Sequence, residues 1–463
     1  MASINFPESL QMNAKGPAAP AEPVITRFRS DNATYSSGDI IRIEVSTGGR
    51  AQYLLPLDSY LSFDFTHTWT GNSTTVRVDG CAYSFFRRAR IIHGSTVLVD
   101  TQHVGRLWNA LRDISVSSSA RAVDEIRLAV GPFATQAQTA NGMAGLNVTS
   151  GQTYDAAFPL PLPLVGTLQK SAVPLGLMGA SSLFIELEIA PMNQCFTTRQ
   201  FTDGDGQAPN AATNYVQSAF TLSNIYFNAK ITTLDEAYNQ ALMSVYSGRP
   251  LMLPAVDYIG EQKVIPAGAS SINEKFAFSR SSVCSVMWFL SNSAVANGVP
   301  FPNDASGNRL EGTTHRQSGD LLEYFIAVSG KNLLPVYAGR NGTVLGASNT
   351  YIKGANAVNQ LGRIYNTMSS NDGMGILNFI NYCSGVVDTS GNAADVSKRF
   401  VGAYSLERYD ADSKYASGSN LVGQDVRLVA TMTSGLAEGQ NLYGFAMCDI
   451  GFELLDGQLN LRA

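Results

Sequence analysis

Apolar and polar residues alternate at period two through Ile41-Arg42-Ile43-Glu44-Val45, Leu61-Ser62-Phe63-Asp64-Phe65 and Ile185-Glu186-Leu187-Glu188-Ile189. Successive side chains of a strand point to opposite faces, so this pattern predicts antiparallel strands with one face buried and one toward water. Strands are expected at 39–46, 59–69, 182–190 and 219–232, and again at 256–264, 271–279, 283–291, 322–328, 399–406, 425–432 and 442–455. Between Asp79 and Asp100, His93-Gly94-Ser95 reads as a turn joining two strands, and Asp456-Gly457 as a last hairpin turn.

The period changes in three places. Val104, Leu107, Trp108, Leu111 and Ile114 make one apolar stripe at helical spacing, suited to closing the end of a sandwich. Val358, Leu361 and Tyr365 suggest a second short helix at 355–366. Between them Thr233-Leu234-Asp235-Glu236 fits a capping box, and Leu234, Ala237, Tyr238, Ala241, Leu242 and Val245 continue it until Gly248 and Pro250. A helix over 234–247 thus separates two β-rich halves that share element order without visible sequence identity. The expected division is an arm at 1–23, a first sandwich at 24–233, a linking helix at 234–249 and a second sandwich at 250–463.

A chain of 463 residues exceeds what one core usually serves, which supports two domains of roughly 200 residues each. The arm is polar and Ala/Pro-rich and cannot pack alone; it is either a frayed terminus or a tie between subunits anchored by Ile4, Phe6 and Leu10. In Pro159-Leu160-Pro161-Leu162-Pro163-Leu164 the prolines stand two apart, so an extended segment would lose every N–H along one edge. An edge-blocking strand is expected there in preference to a polyproline recognition motif. The loops 131–152, 196–218 and 292–320 are long and turn-rich, which predicts exposed surface features.

Net charge is −5, so global attraction to polyanions is excluded, and sequence-specific nucleic-acid binding is not expected. Arg87, Arg88 and Arg90 with Phe85 and Phe86 form the densest basic cluster. In a regular strand Arg88 and Arg90 share one face and Arg87 takes the other, so ion pairs or subunit contacts are expected there in preference to base stacking. Five dispersed cysteines (Cys81, Cys195, Cys284, Cys383, Cys448) form no CxxC pair and are read as small buried side chains made in a reducing compartment. The N-terminus lacks the basic start and apolar run of a signal peptide, and no apolar stretch reaches membrane-spanning length.

Catalytic chemistry finds no foothold. Asp203-Gly204-Asp205-Gly206 opens like a calcium loop, but Asn214 stands where the glutamate belongs. Gly339 to Thr343 lacks the lysine of a phosphate loop, and His67, His93, His103 and His315 have no nucleophile or second ligand nearby in sequence. Sequons at Asn32, Asn72, Asn147 and Asn341 call for no special role without a signal peptide. No catalytic, metal or cofactor-binding residue is assigned, no cofactor is expected, and the chain reads as a non-enzyme.

The segment Asp79–Asp100 with its following helix, the run Val426-Arg427-Leu428-Val429-Ala430-Thr431-Met432 and the stretch Leu442 to Leu455 are similar to the double jelly-roll major capsid proteins of tailless icosahedral double-stranded DNA viruses. The flavour is that of virophages and polinton-like viruses, and the likeness covers about 24–463. It implies an all-β fold of two tandem eight-stranded jelly-roll sandwiches with short helices and long surface loops. It also implies homotrimeric, pseudo-hexameric capsomers in a virion capsid, made in the host cytoplasm or at a viral factory. The partners so implied are copies of the chain itself, penton and minor capsid proteins, and in some shells an internal membrane. Jelly rolls also serve as lectins and enzymes, so a viral spike or glycan-binding protein is the alternative.

Overall fold

In the computed structural model the period-two segments form two pairs of facing antiparallel sheets. The structure describes residues 21–46, 51–70, 76–115, 127–129, 146–179, 181–198, 216–237, 239–240, 244, 250–292, 321–333, 335–337, 360–361, 364, 400–406, 418–432, 435–436 and 439–462. The first half contains β1 (Ala21–Arg29), β2 (Thr34–Ser36), β3 (Ile40–Val45), β4 (Gln52–Thr70), β5 (Val76–Val78), β6 (Phe86–His93) and β7 (Thr96–Gln102), then helix α1 (Val104–Ser115). After it come β8 (Asn147–Val148), β9 (Thr153–Phe158), β10 (Val173–Pro174), β11 (Leu183–Ile189), β12 (Phe196–Thr198) and β13 (Val216–Leu234). The second half contains β14 (Leu251–Ile265), β15 (Ser271–Phe276), β16 (Val283–Asn292), β17 (Leu321–Val328), β18 (Lys331–Asn332) and β19 (Val336–Tyr337). It ends with β20 (Gly402–Ser405), β21 (Val426–Met432), β22 (Gln440–Leu455) and β23 (Gln458–Arg462).

The two halves repeat one connectivity. The first pairs a sheet of order β1-β13-β4-β10, with β9 also on β4, against a sheet of order β3-β11-β6-β7. The second pairs β14-β22-β16-β20 against β15-β21-β17-β18. Strand for strand, β1 corresponds to β14, β3 to β15, β4 to β16, β6 to β17, β7 to β18, β11 to β21 and β13 to β22. Each half is therefore a jelly roll, with its first strand paired to its long late strand, β1 to β13 and β14 to β22, and the chain crossing repeatedly between the two sheets. We call the four sheets after β4, β6, β16 and β17. A small sheet of order β12-β5-β8 adds to the first roll alone among the described residues.

Inward side chains explain why the sheets close. In the first roll Phe63 meets Phe86 and Phe158 edge-on, with centroids 5.7 and 5.9 Å apart, the geometry aromatic quadrupoles prefer. The helix stripe predicted from Val104, Leu107, Trp108 and Leu111 is buried here. Gly105 lets α1 approach, since a Cβ there would stand 2.5 Å from the Phe86 and Tyr83 carbonyls. In the second roll Trp288 lies edge-on to Tyr324 at 5.2 Å, and the Tyr324 hydroxyl donates to the Ala403 carbonyl at 2.9 Å, tying the β17 sheet to the β16 sheet. Cys81, Cys195, Cys284 and Cys448 are buried free thiols, as read from sequence; Cys383 lies outside the described residues.

Three local expectations fail. Residues 159–166 do not extend along an edge: after β9 the chain coils, with Leu162 N–H to the Leu160 carbonyl, Thr167 N–H to the same carbonyl, and Leu164 at φ 61°. The four apolar side chains Leu160, Leu162, Leu164 and Val165 are at most 1% exposed, so burying them outweighs edge protection. The capping box at Thr233 is absent because β13 runs through Leu234; the Asp235 carboxylate instead accepts the Ala237 N–H at 3.2 Å. Strand β1 begins at Ala21, so the last three residues of the expected arm, 21–23, belong to it. Helical turns at 236–237, 239–240 and 244 fall within the predicted linking helix, and those at 360, 361 and 364 within the predicted 355–366 helix. Residues 1–20, including Ile4, Phe6 and Leu10, and the loop 293–320 lie outside the described residues.

Candidate assembly surfaces

The rolls touch through one edge and one helix of the first seated on the outward face of the second roll's β16 sheet. Along β22, Gln440 to Cys448 are all buried, inward and outward residues alike. Leu442, Gly444 and Ala446 point into the second roll, where the Phe276 ring lies against Gly444. Tyr443 and Phe445 point the other way and are covered by the first roll. Arg106 of α1 lays its guanidinium 4.4 Å from the Tyr443 ring centroid and donates to Ser291 Oγ at 3.2 Å. His103 meets Tyr443 edge-on at 5.2 Å. Gly260 on β14 sits so near the last residue of β7 that a Cβ would stand 2.6 Å from the Gln102 carbonyl.

The leucine-proline coil forms the other half of this junction. Val256 N–H donates to the Leu168 carbonyl at 2.9 Å and Lys170 N–H to the Pro254 carbonyl at 3.3 Å. Gln169, 1% exposed, donates through Nε2 to the Pro254 carbonyl and accepts the Leu164 N–H, so its amide bridges coil and β14. Lys170 Nζ lies 3.4 Å from Asp449. Asp257 is buried where the rolls meet. Desolvation pushes its carboxyl up to about 6, against the opposing pull of the Tyr258 N–H, Arg280 and the Thr101 hydroxyl.

The outer face of the β6 sheet carries the arginines noted in the sequence. Arg42, Glu186, Arg90 and Asp100 stand in one cross-strand row, with Arg90 to Glu186 at 2.8 Å and Arg42 to Glu186 at 3.9 Å. Arg88 forks onto Asp100, and Arg87 lies 3.6 Å from Glu188. The strand register slips between Glu188 and Ile189, leaving Arg87 as the extra residue of a bulge. The bulge turns Arg87 to the same outer face as Arg88, contrary to simple alternation. Every arginine of the cluster has an acidic neighbour, so the face is self-neutralised and offers no basic track; the expected ion pairs are formed.

The histidines serve as packing groups. His67 stacks on Phe196 at 3.9 Å and 7°, donates Nδ1–H to the Ala219 carbonyl, and is pushed down to about 4 by burial. Burial likewise lowers His93, and takes His103 to about 4 with Arg106 and Arg87 adding to the effect. In all three, burial favours the neutral imidazole. His315, the 203–206 loop and the 339–343 loop lie outside the described residues. Among the described residues no three His, Cys, Asp or Glu side chains converge on a possible metal position.

The fold so defined is a double jelly roll. Neither a protein-family model nor a curated protein sequence matches the chain. Solved structures do match. A quasi-atomic model of the PBCV-1 virus capsid aligns with TM-score 0.58 at 12% identity, over 97% of this chain and 98% of that one. The Sputnik virophage structure aligns with TM-score 0.55 at 10% identity, over 100% and 93%. The mavirus major capsid protein aligns with TM-score 0.52 at 10% identity, over 100% and 95%. At such identities the likeness establishes the fold, whole chain against whole chain.

The β22 face was not singled out from sequence, although a signal existed. Leu442-Tyr443-Gly444-Phe445-Ala446-Met447-Cys448 is a continuous apolar run, whereas Leu61 to His67 alternates. A strand apolar on both sides is a strand covered on both sides.

Proposed function

We propose that this chain is the major capsid protein of a tailless icosahedral double-stranded DNA virus of the virophage or polinton-like kind. Three copies form a pseudo-hexameric capsomer, and capsomers tile the shell. The observation that carries this reading is the contact between the rolls: an edge and helix of one unit seated on a sheet face of the next, equivalent unit. Such a head-to-tail contact generates a ring when its rotation closes, and three chains of two units each give six. The full-length likeness in fold to viral capsid proteins supports the same structural, non-enzymatic reading.

Its partners are further copies of itself in the lattice together with penton and minor capsid proteins, and its location is the virion capsid. The division into 1–23, 24–233, 234–249 and 250–463 is supported at its centre by β13 ending at Leu234 and β14 starting at Leu251, while β1 carries the first roll back to Ala21. Native mass measurement should return three times 49.5 kDa, and negative-stain images should contain six-cornered particles about threefold axes. A stable monomer that binds glycans would instead favour the spike-like alternative.

The arm belongs to assembly in this reading. Deleting residues 1–20, with Ile4, Phe6 and Leu10, should leave the melting temperature of the trimer unchanged and lower the yield or stability of shells. Shells as abundant and as stable as those of the full chain would reduce the arm to a frayed terminus.

A further inference from the structure

We propose that the cavity where α1 meets the bulge of β6 binds a small oxyanion of the phosphate class, held between the guanidiniums of Arg87 and Arg106. The site is a property of the single chain and stands whatever the chain assembles into. It occupies about 310 Å³ including its open mouth, at the small end of ligand pockets, which run from roughly 300 to 1,000 Å³. That space suits an ion better than a nucleotide or a sugar chain. Nine described residues line it, among them Arg87, His103, Arg106, Asn109 and Gln194, and none of the nine is acidic. The first turn of α1, along one side, adds no acidic residue.

The lining is built to receive negative charge. Arg106 is 8% exposed and fixed in place: Nη1 donates to Ser291 Oγ at 3.2 Å and the guanidinium lies over the Tyr443 ring. The Arg87 side chain is 53% exposed and stands toward the mouth, turned there by the bulge opposite Glu188 and Ile189. Its contact with Glu188, at 3.6 Å, is a half-exposed ion pair, worth little and readily shared with a second anion. Asn109 donates to Ser84 Oγ and to the Gly105 carbonyl, and Ser84 to the Asp79 carbonyl, so these two form a fixed wall. The local potential is positive: burial acts first on both groups, and beyond it the two guanidiniums hold His103 toward its neutral form and pull the Tyr443 hydroxyl down. Two cations in a partly buried space repel, and an oxyanion between them removes that cost while accepting hydrogen bonds from both planar forks. Because Arg106 also reaches the second roll, the bound ion tightens the junction.

Full-length protein freed of phosphate and held in chloride buffer should bind inorganic phosphate at one site per chain in a calorimetric titration. At constant ionic strength its thermal midpoint should rise with the logarithm of phosphate concentration once that exceeds the dissociation constant. Arg87→Gln removes the half-exposed fork without touching the roll junction, and should weaken phosphate binding about tenfold or more while leaving the midpoint in chloride unchanged. Arg42→Gln, in the self-neutralised row of the same sheet, should bind phosphate as the wild type does. A wild-type chain with no saturable phosphate binding overturns the inference, and so does Arg87→Gln binding as tightly as wild type. An equal loss in Arg42→Gln overturns it as well, since it marks a general ionic effect of the surface. None of these outcomes bears on assembly, which native mass and particle images test separately.

Discussion

The outward face of the β4 sheet and the outward face of the β16 sheet occupy the same place in two copies of one fold, and their chemistry is opposite. The first presents Ser62, Asp64, Thr66 and Tyr226, half-exposed; the second presents Tyr443, Phe445, Met287 and Phe289, none more than 5% exposed. The difference follows from what covers each. A cover supplied by the same chain is permanent once the chain folds, so the face beneath can be as apolar as a core. A face without such a cover meets water, where an apolar surface of that size would promote aggregation. Ser62, Asp64 and Thr66 make the β4 face compatible with water.

Truncating the covered face is expected to have the largest effect. Phe445→Ala removes a fully buried ring lying 5.8 Å from Phe289 and against Gly260, and should cost about 3–5 kcal/mol by chemical denaturation. Thr66→Ala, on the equivalent uncovered face, should cost roughly 0.5 kcal/mol or less in the isolated chain. Equal losses at the two positions would erase the distinction between the faces.

A smaller effect should come from the carboxyl trapped between the rolls. The folded state raises Asp257 from 3.8 to about 6, so it binds the proton more tightly than the unfolded chain does. The stability so gained is present at low pH and lost as pH rises from about 4 through 6, amounting to at most about 3 kcal/mol. Asp257→Asn keeps an acceptor for the Tyr258 N–H, now 2.8 Å from Oδ1, and removes the charge. Denaturant midpoints of the variant should exceed wild type at pH 7.5 and converge with it near pH 4. A variant less stable than wild type at pH 7.5 would mean that the contact with Arg280, 4.0 Å away, outweighs desolvation.

Much of the fold was legible in local pattern. Alternation in Ile41 to Val45 and Ile185 to Ile189 specified strands with one wet face, and the structure pairs those segments directly, Ile185 opposite Ile43. The stripe from Val104 to Leu111 specified α1, and Asp456-Gly457, at φ 50° and 78°, the hairpin between β22 and β23. These features depend on residues a few positions apart, which is the range over which side-chain spacing, turn conformation and capping act. The Pro159 to Leu164 segment misled because its extended reading was also local, while its coil is held by burial and by bonds to β14, some 90 residues on. Arg87 misled because alternation assumes an unbroken ladder, and a bulge is decided by the partner strand.

The sequence by itself determined that there are two amphipathic sandwiches, with their helices and hairpins, because each strand carries its own inside and outside. Only the tertiary structure decided which outside is water and which is the other roll. Residues 102–106 and 160–170 of one unit have to meet 254–260 and 441–447 of the next before Tyr443 and Phe445 are buried, and contacts so distant along the chain leave no periodic trace in either partner.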